Sequence, residues 1–298
     1  MSDMRKFLSL AFVSAVAAGL FACGGDSSSS GPDVNDDVVE SSSGTKVESS
    51  SYDDLESSES GIESESSGSG VSSSASTQSS FSAGEDRSLY DAENNTLTDL
   101  RDGQVYRTTT ISIPTLDYSE VWMAENLNYE TGNSFCYGDN PDKCNTYGRL
   151  YTWAAAVGKT EEECCYEHCN LPSGNIRGVC PMGWHLPSYS EWEALIVAVD
   201  GSITEYEYDN TAGKRLKSIS GWIENGNGID SYSFSAFPAG DRSGGGGYNY
   251  EGDNAFFWSP VENGSSNAFG MYLNDYYDKA FLYDFDKYYG FSVRCLKD

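Results

Sequence analysis

Between Gly24 and Ser88 the chain carries 25 Ser and 14 Asp or Glu, with Tyr52 and Phe81 as the only aromatic residues. A stretch so poor in apolar side chains cannot bury enough surface to offset the entropy of ordering its backbone, so it is expected to form a disordered, self-repelling tether. Sixty-five such residues would reach roughly 45 Å as a flexible coil. Folding is therefore confined to the residues beyond Ser88, where the composition inverts. All six Trp, 20 of the 21 Tyr and every cysteine except Cys23 lie from Leu89 onward, an ordinary length for one domain. The organisation expected is a leader at residues 1–22, a tether at 23–88 and a folded domain at 89–298.

The leader reads as an export signal. Arg5 and Lys6 precede an apolar run from Phe7 to Phe21, and about 15 residues is too short to span a bilayer, which takes about 20. The run ends in Leu20-Phe21-Ala22-Cys23, which resembles the bacterial lipobox. That resemblance implies cleavage before Cys23, a lipid anchor on its thiol and amine, and a membrane partner. Resemblance to Gram-negative lipoproteins implies, from Gly24 rather than Asp after that cysteine, release to the outer membrane or cell surface. The chain carries a formal charge of −28, and Leu89–Asp298 holds 31 acidic against 14 basic residues. A field of that sign excludes nucleic acid as a partner.

Within the folded part, Arg101-Asp102-Gly103-Gln104 lies between β-prone runs and predicts a hairpin over Thr96–Ile113, because Asp-Gly supplies the positive φ of a tight turn. A strand is expected around Val121-Trp122-Met123. Leu150, Trp153, Ala154 and Val157 fit one helical face, predicting a helix over Gly148–Val157. Ser188-Tyr189-Ser190-Glu191 has the form of a capping box and announces a second helix over Tyr189–Asp200, with Trp192, Leu195, Ile196 and Val199 as its buried stripe and Gly201 as its C-cap. Short strands are expected at Tyr232–Phe237, Ala255–Ser259, Ala268–Leu273, Lys279–Tyr283 and Gly290–Leu296. Two helices, several short strands and long loops imply an α+β domain.

Five segments taken in order carry a family resemblance: Arg101-Asp102-Gly103-Gln104-Val105-Tyr106, Trp122-Met123-Ala124-Glu125-Asn126-Leu127, Tyr147-Gly148-Arg149-Leu150-Tyr151-Thr152-Trp153, Gly178-Val179-Cys180-Pro181-Met182-Gly183-Trp184-His185-Leu186-Pro187-Ser188 and Phe291-Ser292-Val293-Arg294-Cys295. They resemble the Fibrobacter succinogenes major paralogous domain over nearly all of Leu97–Asp298. The resemblance implies a surface lipoprotein of a fibre-degrading bacterium and a C-type-lectin-like fold. The Gly-Trp-His-Leu-Pro-Ser stretch with Glu191-Trp192 is also similar to formylglycine-generating-enzyme domains, another branch of that fold.

Seven cysteines remain beside Cys23, an odd number for an oxidising compartment. Cys136 and Cys144 flank a short turn and are expected to clip it; Cys180 and Cys295 are expected to join across the fold. Of Cys164, Cys165 and Cys169, either Cys164 or Cys165 pairs with Cys169, and the spacing does not choose. The same run with His168 holds zinc-type donors without the usual Cys-x-x-Cys spacing. No cofactor is expected. Calcium suits a lectin-like fold, but Glu-Pro-Asn and Trp-Asn-Asp motifs are absent, and Asp275, Asp278, Asp284 and Asp286 read first as a solvated surface.

No catalytic constellation stands out. His168 and His185 are the only imidazoles, and His185 between Trp184 and Leu186 reads as packed. Glu191, Glu193, Asp230 and Glu251 have no spacing that singles out an acid and base pair. The formylglycine-type oxidase would need free thiols where Cys180 and Cys295 are expected to be bonded. The candidate ligand-binding residues are instead Arg242, Tyr248 and Tyr250 on a flexible Gly-rich loop from Gly240 to Gly252, with Trp258, Tyr276 and Tyr277, because aromatic faces beside polar groups suit sugars. The same pattern also fits a core strand over Phe256–Trp258 covered by tyrosines. The expected function is thus a surface-displayed binding module for plant cell-wall polysaccharide or a surface protein. The alternatives are a structural envelope protein or an oxidoreductase or hydrolase on the same fold.

Overall fold

The computed structural model describes residues 87–164, 167–203 and 208–298. The expected leader, the Cys23 anchor, nearly all of the tether and Cys165 lie outside the described residues. Among those described, no helix is long and apolar enough to cross a membrane.

The chain opens with an antiparallel meander, β1 (Ser88–Asp91), β2 (Thr96–Asp99), β3 (Val105–Ile113) and β4 (Tyr118–Met123). Short elements come next: β5 (Ser134–Phe135), α1 (Pro141–Tyr147), β6 (Leu150–Tyr151), α2 (Trp153–Ala156), α3 (Glu161–Cys164) and β7 (Trp184–His185). Helix α4 (Tyr189–Asp200) leads into the hairpin β8 (Gly201–Ile203) and β9 (Tyr208–Asn210), then α5 (Ala212–Leu216). Strands β10 (Ala239–Arg242), β11 (Tyr248–Glu251), β12 (Asn254–Asn263), β13 (Asn267–Asn274) and β14 (Ala280–Asp286) form the second sheet. Strand β15 (Leu296–Lys297) returns to the first, between β4 and β7.

The expected α+β, C-type-lectin-like architecture is not what forms. The domain is mostly β, two curled sheets with few helices. Local patterns account for part of the difference. The hairpin forms where Asp102-Gly103 predicts it, with Gly103 at φ 79°. Helix α4 forms with its capping box in place, the Ser188 amide donating to Glu191 Oε2 at 2.7 Å. Gly201, however, begins a strand instead of capping the helix. The helix expected over Gly148–Val157 is broken into a two-residue strand and the single turn of α2. Every residue from Leu150 to Val157 is buried, so the segment has no wet face, and its apparent helical period reflects burial on all sides. The strand expected at Tyr232–Phe237 is a turn. Ser233 and Ser235 adopt positive φ, and Asp230 accepts hydrogen bonds from the Ser235 amide and hydroxyl, which swings Phe234 into the core.

All six tryptophans are buried. Strands β12 to β14 show why two cores exist. Alternate side chains of a strand point to opposite faces: Ala255, Phe257, Met271, Leu273, Ala280 and Leu282 share one core with α4. Phe256 and Trp258 join Trp153, Trp184 and Phe291 in the other. The segment from Gly290 to Lys297 stitches the sheets together, bridging Tyr151 at Phe291, Phe257 at Ser292 and Trp122 at Leu296.

Three disulfides tie the described residues: Cys136 to Cys144, Cys164 to Cys169 and Cys180 to Cys295. Cys164 is therefore the partner of Cys169.

The buried His185 is held on both ring nitrogens, by Asp298 Oδ1 at 2.6 Å and by Glu191 Oε1 at 3.0 Å. Burial works to lower its pKa, but hydrogen bonds and charge from Glu191 and Asp298 outweigh it and hold the imidazolium above its ordinary 6.5. Burial likewise opposes ionisation of Glu191, yet the bonds from His185 and Ser188 bring its pKa below 4.5. A raised histidine pKa stabilises the fold fully below about pH 6.5 and loses that contribution as pH rises through the folded value. A lowered carboxyl pKa contributes above about pH 4.5 and is lost on acidification. Wild-type stability minus that of His185→Gln, taken from urea midpoints between pH 5 and pH 9, is expected to shrink as pH rises. A difference that stays constant or grows would show that the imidazolium is not held this way.

Candidate binding surface

The structure disperses part of the expected ligand set. Trp258 is fully buried, its Nε1 donating to the Tyr151 carbonyl at 2.8 Å and its ring against Phe291. It is a core residue, because it lies on the face of β12 that the Gly290–Lys297 segment covers. The Gly-rich loop is a paired hairpin, with Ala239 opposite Glu251 and Arg242 opposite Tyr248. Gly240, at φ 65°, lets β11 pass so close that a Cβ there would meet the Asn249 carbonyl oxygen at 2.2 Å. Arg242 lies 3.8 Å over the Phe135 ring. Tyr248 donates to Asp139 at 2.5 Å and sits beside Tyr137. Both therefore pack against the loop clipped by Cys136 and Cys144.

Tyr250, Tyr276 and Tyr277 are linked through a row of rings of which the sequence reading singles out Phe256 alone. On the second sheet Phe256, Tyr272 and Phe281 are direct cross-strand partners, with centroids 5.9 and 4.8 Å apart and nearly parallel planes. Such rings cover one another, so the faces left to solvent belong to tyrosines at the margin. Tyr250 is 53% exposed, Tyr277 47%, Tyr283 60% and Tyr276 81%. Three of these are backed by a more deeply set ring: Tyr250 by Phe256 at 6.5 Å, Tyr277 by Phe281 at 5.9 Å and Tyr283 by Phe285 at 5.6 Å. Tyr276 stands edge-to-face on Tyr277 at 4.8 Å. The alternation Phe281, Tyr283, Phe285 along β14 is a period-2 signal that could have marked this face from the sequence.

The turn carrying Tyr276 and Tyr277 is anchored from beneath. Lys217, 1% exposed, sends its ammonium to the carbonyls of Asn274 and Tyr277, each at 3.0 Å, and lies 5.1 Å from the Trp222 ring centre. Burial lowers its pKa below the ordinary lysine value. In addition Asn274 Oδ1 accepts the Tyr277 amide at 2.7 Å. The turn is thus held at both ends.

Three of the four carboxylates weighed from the sequence have bonds of their own. Glu191 caps α4 and pairs with His185, Asp230 holds its turn, and Glu251 forms an ion pair with Lys143. Cys180 and Cys295 are bonded to each other, so neither is a free thiol. The four aspartates considered for calcium divide along β14: Asp275 and Asp278 in the turn before it, Asp284 and Asp286 in its last three residues, where they accept from Asn267 and from the Tyr288 hydroxyl. Among the described residues, no group of three or more His, Cys, Asp or Glu could hold a metal ion.

Fold and surface together define a mostly β, disulfide-tied domain that presents a fixed aromatic face. The family model of the Fibrobacter succinogenes major domain matches residues 106–297, nearly two thirds of the 298-residue chain, and the chain belongs to that family. No curated protein and no solved structure matches it.

Proposed function

We propose that this domain is a binding module for neutral plant cell-wall glycan, displayed from the bacterial surface on an acidic tether anchored at Cys23. The observation that carries the reading is the set of exposed tyrosines, Tyr250, Tyr277 and Tyr283, each backed by a second ring on one sheet. An exposed aromatic cluster marks an interaction site. Rings already held in place lose little freedom on binding, so contact energy is not spent on ordering them. Sugars offer C–H faces to such rings. The 31 acidic against 14 basic residues of the folded part repel polyanions, so uncharged chains such as cellulose or xylan fit better than pectate.

Retention of the purified, oxidised chain on insoluble cellulose and xylan tests the reading. The wild type is expected to be retained on at least one of them, and Tyr250→Ala with Tyr277→Ala and Tyr283→Ala together to weaken retention at least about a hundredfold, since aromatic anchors each contribute on the order of 1–2 kcal/mol. Passage of the wild type through both matrices without delay would overturn it.

A further inference from the structure

A concavity with different lining residues lies beside the first sheet. The turn between β2 and β3, the segment after β4 and the Cys136–Cys144 clip with α1 enclose a polar groove. It holds two adjoining cavities of about 230 and 490 Å³, which share Gln104, Asn128, Cys144 and Asn145 as walls.

Its chemistry is unusual in one respect. Asn128 Oδ1 and Arg149 Nε are both shielded from solvent, and neither has a hydrogen-bond partner. The surrounding groups are engaged. The Asn128 amide donates to the Tyr106 hydroxyl at 3.1 Å, and its carbonyl accepts from Gln104 at 3.0 Å. The Arg149 Nη2 pairs with Glu130 at 2.8 Å. Both side chains line the larger cavity, and a shielded polar atom without a partner in a native protein calls for an explanation such as an absent ligand or water.

We propose that the groove is a pocket for one neutral sugar residue, whose hydroxyls donate to Asn128 Oδ1 and accept from Arg149 Nε. A hydroxyl group does both. An anion fits poorly, since Asp102, Glu125 and Glu130 surround the groove and the Arg149 charge is already met by Glu130. A cation fits poorly as well, since Glu125 pairs with Arg107 and Asp102 accepts from Gln104. The proposal shares its ligand class with the glycan reading of the aromatic face but not its site.

Titration of the full chain with glucose, xylose, galactose and arabinose, followed by backbone amide resonances, tests it. At least one sugar is expected to shift the amides of residues 102–106 and 125–130 saturably. Asn128→Ala is expected to weaken that binding about tenfold or more while its unfolding midpoint stays equal or rises, and Leu116→Ala, an exposed residue outside both surfaces, to leave it unchanged. No shift with any of the four sugars overturns the pocket. So does unaltered affinity in Asn128→Ala, or a loss of stability in that variant, which would make the side chain structural. Loss of polymer retention with the pocket intact would sink only the aromatic-face reading, and the reverse only the pocket.

Discussion

Replacing Cys180 and Cys295 together by alanine is expected to lower the unfolding free energy by about 5 kcal/mol. The bond closes a loop of 115 residues, and the chain-entropy treatment assigns a closure of that length about 4.8 kcal/mol at 25 °C. Its position adds to the effect. Cys295 stands in the Gly290–Lys297 segment that joins the two sheets, so an unfolded chain without the bond must also find that long-range register unaided. The Cys136 to Cys144 clip spans only eight residues and by the same treatment contributes about 2.5 kcal/mol. Urea unfolding of the two double-alanine variants should therefore separate them clearly, the first by the larger shift in midpoint. Equal shifts, or a loss under about 1 kcal/mol for Cys180 with Cys295, would contradict the assignment of the cross-sheet bond as the main covalent support of the fold.

Arg294→Met is expected to cost about 3–5 kcal/mol, by leaving buried acceptors without a donor. Arg294 is fully buried beside that disulfide. Its Nε donates to Asn126 Oδ1 at 2.7 Å and its Nη2 to the Ser235 carbonyl at 2.8 Å, while Nη1 reaches the carbonyls of Met123 and Phe234. Burial brings its pKa down to about 9, because a guanidinium charge is poorly solvated there. Phe234 and Phe257 flank the guanidinium at 4.5 and 5.5 Å. The planar fork is what matters: it reaches four acceptors on two separate segments, 123–126 and 234–235, which a lysine ammonium cannot do at once. Arg294→Lys is therefore expected to recover only part of the loss. Denaturant midpoints of the two variants decide the matter, and full stability in Arg294→Lys would show that charge alone suffices. Because Asn126 also donates to the Tyr147 carbonyl and to Ser292 Oγ, loosening Arg294 is expected to reach the groove wall.

What the sequence by itself determined is local. The Asp102-Gly103 hairpin and the Ser188 to Glu191 capping box arise from chemistry that neighbouring residues carry out among themselves, and strands β12, β13 and β14 arise from short runs rich in aromatic residues. Family membership was legible too, since five motifs in order are a specific signal. The tertiary structure alone decided which strands became neighbours. Tyr272 lies between Phe256 and Phe281 only because β13 pairs with both β12 and β14, so the aromatic face was invisible to any single segment. Sequence left Trp258 open between a ligand face and a core strand for the same reason, since the segment that covers it arrives more than thirty residues later, at Phe291. Arg294, Lys217 and Lys287, all nearly or fully buried, could not be foreseen as interior, because a charged side chain enters a core only where distant carbonyls, carboxylates and rings converge on it. Local pattern sets which elements form, and the burial of their faces against one another, a property of the whole chain, sets the architecture and both candidate sites.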